Sequence, residues 1–186
     1  MKIVLFILLV FFSSAQANEI KTLVQINNYS ITNIDLIKEI NINEILKQRN
    51  LNNTEKKILL NNLIEQKVKD METKKRNIKI NQSVINQNVM QILKNYNIDQ
   101  ENKESVREYI FKKVDTKMKW NKLIMFLFSK KLEINMDEIE ENMKIKNIDI
   151  KKKEAMIQAE KTKKINIISN TFYNEIKRKY LIKSIE

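Results

Sequence analysis

The chain has 186 residues, carries 35 Lys and Arg against 23 Asp and Glu, and has a formal net charge of +12. It contains no Gly, Pro, Cys or His, which excludes disulfides, thiolate nucleophiles, imidazole bases and ligands, P-loops, dinucleotide fingerprints and EF-hand loops. Ile (31), Lys (31) and Asn (25) dominate in the manner of AT-rich codons, yet Leu, Ile, Val and Phe together number 61, enough for a buried core.

The amino terminus reads as an export signal. Lys2 gives a short positive region, Ile3 to Phe12 is an unbroken apolar run, and Ala15-Gln16-Ala17 is a small-x-small cleavage site. Ten apolar residues rise only about 15 Å as a helix, against a hydrocarbon core of about 30 Å, which argues against a membrane anchor. Cleavage after Ala17 leaves residues 18–186 as a single domain. Export without cysteine points to a bacterial periplasm, and export argues against nucleic acid as the partner. Three tripeptides, at Asn28, Asn52 and Asn81, match a glycosylation pattern. In a chain this rich in Asn they are expected by chance.

From Ile20 to Ile26 the chain is β-compatible. Asn27-Asn28 supplies a tight turn with positive φ, and Tyr29-Ser30-Ile31 returns as a second strand. Thr32, with Asp35 three residues on, caps a helix that ends near Arg49 and carries Ile34, Ile37, Ile40 and Ile45 as its apolar stripe. Thr54 is expected to cap a long helix to about Asn77, with Ile58, Leu60, Leu63, Ile64, Val68 and Met71 on its apolar face. Ile78-Lys79-Ile80 is an extended link. Asn81 or Gln82 opens a third helix, and Asn97 to Asn102 is a loop.

A fourth helix is predicted from Lys103 to about Lys131. One face carries Val106, Ile110, Val114, Met118, Met125 and Phe128, and another carries Tyr109, Trp120, Leu123 and Leu127. Asn135 caps a short helix, and a last long helix runs from about Lys152 to Arg178. Tyr180 to Ile185 alternates as a strand. It lacks a neighbour in sequence, so it is expected to pair with Ile20 to Ile26, because an isolated strand leaves its backbone groups unpaired. The fold class is mainly α, with a small sheet made by the two amino-terminal strands and the carboxy-terminal strand.

In this order the elements resemble the SurA family of periplasmic chaperones. Thr22 to Asp35 is similar to that family's opening of strand, turn, strand and capped helix. Leu59 to Ile80 resembles its second helix and following linker, and Leu132 to Glu140 resembles the segment that closes its amino-terminal region. Phe172 to Lys183 resembles the carboxy-terminal helix and strand that fold back onto that region. The parvulin prolyl-isomerase domains that usually lie between are missing, and this chain lacks the Gly and His of their active region. The resemblance implies a non-enzymatic chaperone core, an ATP-independent holdase for unfolded outer-membrane proteins or peptides, with a hydrophobic helical crevice.

Leu123 to Phe128 is apolar all round its helix, so it is either fully buried or partly exposed as a binding face. Met118, Trp120, Met125, Phe126 and Phe128 are the candidate peptide-binding residues. Asp137, Glu138, Glu140 and Glu141 form the densest acidic group, which reads as a solvated helix start rather than an acid/base pair or metal site. No motif for a cofactor or metal is present, and no catalytic residue is expected. The segment Lys144–Lys183 holds 12 Lys and Arg against 4 Asp and Glu. It is a solvated basic face or, in the alternative reading of an envelope structural protein, a surface for anionic membranes.

Overall fold

The computed structural model describes residues 19–185. The proposed signal and its cleavage site at Ala15 and Ala17 lie outside the described residues. Two strands, β1 (Thr22–Ile26) and β2 (Tyr29–Thr32), lead into α1 (Asn33–Lys47), α2 (Asn53–Lys75), α3 (Gln82–Leu93) and α4 (Lys103–Leu127). After a 3-10 turn at Ser129–Leu132 come α5 (Met136–Ile145), a second such turn at Ile150–Lys152, α6 (Lys153–Lys177) and β3 (Ile182–Ser184).

The sheet has the order β2-β1-β3. As expected from the sequence, β3 returns to β1, antiparallel, with Val24 opposite Ser184, Gln25 opposite Lys183 and Ile26 opposite Ile182. Asn27 N donates to the Leu181 carbonyl at 2.9 Å, and Ile185 N donates to the Leu23 carbonyl at 2.9 Å. The inward side chains Val24, Ile26 and Ile31 are buried. Asn27 takes φ 50° at the β1–β2 turn, the left-handed conformation that short amides tolerate where Gly is absent. Asn77, Asn147 and Gln48 do the same where α2, α5 and α1 end.

Helix starts follow from local chemistry. Thr32 accepts from Asp35 N while the Asp35 carboxylate accepts from Thr32 N, a capping box. At α2 the cap is Asn52, not Thr54: Asn52 and Glu55 form a second box, because Glu55 sits three residues after Asn52 and satisfies its backbone N–H at 3.0 Å. Arg49 and Lys47 also bind Glu55, at 2.6 and 2.8 Å, and together with Asn52 they hold its carboxyl well below the usual range.

The apolar face of α1 differs from the expected stripe, whereas on α2 the expected Leu60, Leu63, Ile64, Val68 and Met71 do pack in the core. On α1 the buried positions are Glu39 and Ile42, and Ile37 is exposed. Glu39 faces inward, where it binds Tyr109 and Lys113 of α4, on the side of the helix that Ile42 and Ile45 pack into the core. On α2, Leu59 and Val68 are buried with Glu72 and Thr73, and Ile58 is exposed.

Two hydrophobic cores result. The first joins the sheet, Val68, the α4 end (Trp120, Leu123, Ile124), Leu132 and Ile176 of α6. The second joins Ile42 of α1, Ile85 and Val89 of α3, and Val106, Ile110 and Val114 of α4. One helix, α4, therefore serves both cores along its length.

Glu72 ties α2 to the chain that precedes β3. Its carboxylate is buried, pairs with Arg76, and accepts from the Tyr180 hydroxyl at 2.7 Å. Burial pushes the Glu72 pKa up, but Tyr180, Arg76 and Lys75 outweigh it, and the net displacement is downward. A carboxylate lowered in the folded state stabilises the fold above its unfolded value, and that contribution disappears as pH falls through the folded value. Glu72→Gln is expected to lower stability at neutral pH by about 1–3 kcal/mol. The gap to the parent should shrink on acidification below the ordinary carboxylate range. Thermal melts over a pH series check this, and parallel pH profiles would contradict it.

Candidate functional site

The five residues singled out from the sequence separate in the structure. Trp120 does not belong to an accessible site. It is 2% exposed, stacks on Phe172 with ring centroids 5.5 Å apart, and donates through Nε1 to Ser169 Oγ at 2.7 Å. Lys69 Nζ lies 5.3 Å from its ring centroid. Trp120 is the bolt between α4 and α6.

Phe128 is half-buried and meets Phe172 edge-on at 5.1 Å. It was expected to share a face with Met125, which an unbroken helix would impose. But α4 ends at Leu127, and Phe128, with φ −124° and ψ 26°, has left helical geometry and turns toward the first core. Met118 is half-buried at the edge of the second core.

The exposed members are Met125 and Phe126, at 41% and 75%, joined by Leu127 at 40%. Leu123 and Ile124, immediately before them, are completely buried. The sequence reading grouped Leu127 with Tyr109, Trp120 and Leu123 on one face and did not single it out. The signal that was available is position: at the last turn of a helix, a residue facing the core side can still lie beyond the core's edge. None of the five candidate residues lines a described cavity. Met125 and Phe126 belong to an exposed apolar tip, Trp120 and Phe128 to its buried footing, and Met118 to the edge of the other core.

The largest described cleft, of about 880 Å³, lies between α1, α2 and α4. Ile31, Ile42, Ile45 and Leu63 contribute its apolar lining. One wall carries Glu39, whose Oε1 accepts from Tyr109 Oη at 2.8 Å and from Lys113 Nζ at 2.6 Å. Asn43 Nδ2 donates to Tyr109 Oη at 2.9 Å. Burial, followed by the Glu39 charge and hydrogen bond, pushes the Tyr109 hydroxyl pKa well up, so it stays a donor at neutral pH. Lys74 and Lys119 on the walls pair with Asp70 and Asp115. With most of its charges matched in pairs, the cleft supplies polar contacts and no poised nucleophile. Sequence reading missed this cluster because its members lie about seventy residues apart. The usable signal was two matching four-residue spacings, Glu39 with Asn43 and Tyr109 with Lys113.

The acidic group on α5 sits in solvent. Asp137 N and Glu138 N donate to the Asn135 cap, and Glu140 pairs with Lys153 at 2.7 Å, which holds its carboxyl below the usual range. Among the described residues no acidic cluster is placed to hold a metal ion, and no helix is long and apolar enough to cross a membrane.

No family model matches the chain, and no curated protein matches it.

Proposed function

We propose that the protein is an ATP-independent holdase of the periplasm, which captures apolar segments of unfolded outer-membrane proteins and catalyses no prolyl isomerisation. The observation that carries this reading is the apolar tip of α4. Three consecutive large apolar side chains stand in water, on a helix whose preceding residues are locked between α2, α6 and the sheet. An apolar patch of a few hundred Å² is the size of the largest patch on a typical monomer, and such patches are often interaction sites. Covering it yields several kcal/mol at about 25 cal/mol per Å², before the ordering of the client is subtracted. That supports weak, adaptable binding, to which the unbranched Met125 is suited. The return of β3 onto β1 agrees with the architecture that the SurA resemblance implies, and so supports the reading.

The test is aggregation suppression. An unfolded β-barrel protein is diluted from denaturant, without nucleotide, in the presence and absence of the protein. The holdase reading expects light scattering to fall as the two approach equal concentration. Unsuppressed aggregation, together with binding to anionic vesicles, would instead favour the membrane-surface alternative based on the basic residues of α6.

A further inference from the structure

The same end of α4 is rich in unpaired cations. Residues 116–132 contain five Lys and no acidic residue. Lys119 is taken up by Asp115 at 2.6 Å. Among the described residues, the other four (Lys117, Lys122, Lys130 and Lys131) have no carboxylate within salt-bridge distance.

Three of these four lie within about one helical turn of the apolar tip along the chain, one before it and two after it. Lys122 precedes Phe126 by four residues and so shares its helix face. Its Nζ donates to the Lys79 carbonyl at 2.8 Å, which holds the ammonium beside the α2–α3 link. Lys130 and Lys131 follow in the 3-10 turn, and Lys131 Nζ lies 5.7 Å from the centroid of the Phe128 ring. Lys117 falls on the opposite side of α4 by helical geometry and is left out of this set. An apolar patch with cations before and after it along the chain is complementary to an apolar segment with acidic residues on both sides.

We infer that the α4 tip is a docking surface for apolar polypeptide segments flanked by Asp or Glu, with Met125, Phe126 and Leu127 taking the apolar centre and Lys122, Lys130 and Lys131 the acidic flanks. This rests on the holdase reading of the tip and adds the class of client. Rim charges set selectivity and encounter rate more than total affinity, so discrimination between clients is the property to measure.

The experiment uses three labelled peptides with one apolar centre, flanked by Asp-Glu, Ser-Asn or Lys-Lys pairs, titrated by fluorescence anisotropy. The acid-flanked peptide is expected to bind roughly tenfold tighter than the neutral one at low salt, with the difference shrinking at high salt as exposed charges are screened. In the triple variant Lys122→Gln, Lys130→Gln, Lys131→Gln the acid-to-neutral ratio should fall toward one. A ratio near one in the parent, or an acid preference that survives high salt, overturns the inference while leaving the holdase reading intact. So does a preference that persists in a triple variant shown to be folded by its melt; the salt series on the parent decides the matter if that variant does not fold. Binding of none of the three peptides overturns both. If that result comes with Phe126-dependent binding to phosphatidylglycerol vesicles, but not to phosphatidylcholine vesicles, the tip is a membrane surface instead.

Discussion

Trp120→Ala is expected to destabilise the protein by about 3–5 kcal/mol, the cost of removing a large aromatic from a packed core. Three losses combine. The Phe172 face loses its stacking partner. Ser169, itself buried, loses the donor to its hydroxyl. A cavity opens among Val68, Leu123 and Ile176, which belong to the same core. Because Trp120 joins α4 to α6, the loss should appear as a lower midpoint for the whole domain in chemical denaturation. A shift below about 1 kcal/mol, the range of an ordinary surface substitution, would show that the site is not packed as described.

Removing residues 180–186 should be comparably severe, at about 3 kcal/mol or more, given the combined loss of a buried charge partner and a strand. The deletion takes away the β1–β3 ladder and the Ile182 side chain that packs on the first core. It also takes the Tyr180 hydroxyl from Glu72, leaving a buried carboxylate with Arg76 as its remaining hydrogen-bonding side chain. Unchanged thermal unfolding after the deletion would count against the closure of the sheet by the carboxy terminus.

The parts of the fold that were legible in the sequence are those set by short-range chemistry. The Thr32–Asp35 box is a three-residue relation, and the turn at Asn27-Asn28 needs positive φ at Asn27 alone, where an amide tolerates it. The return of β3 was legible for a different reason: an alternating strand with no neighbour must find a distant one. The Asn52 cap was missed in favour of Thr54, although the available signal was again a three-residue relation, Asn52 with Glu55.

What the sequence hid is the direction that α1 and the last turns of α4 face. Periodicity reports an apolar stripe against one partner, but α4 serves two. Val106, Ile110 and Val114 turn toward α1 and α3, whereas Trp120, Leu123 and Ile124 turn toward the sheet and α6. A stripe that rotates between two cores looks apolar all round, so Trp120 and Phe126 read alike in sequence although one is 2% and the other 75% exposed. The face of α1 was hidden because the side it turns inward carries a buried carboxylate that answers a tyrosine and a lysine from another helix.

The central claim is that the exposed end of α4 binds unfolded polypeptide while its buried footing holds the fold. Phe126→Ser tests it most directly, with two readings on one variant: thermal unfolding, and titration of a labelled unfolded β-barrel polypeptide. Stability should change by less than about 0.5 kcal/mol, as for a surface position, while affinity should fall roughly tenfold or more, as for the central aromatic of a contact patch. Unchanged affinity in a stable variant, or a loss of stability on the scale of Trp120→Ala, would contradict the account.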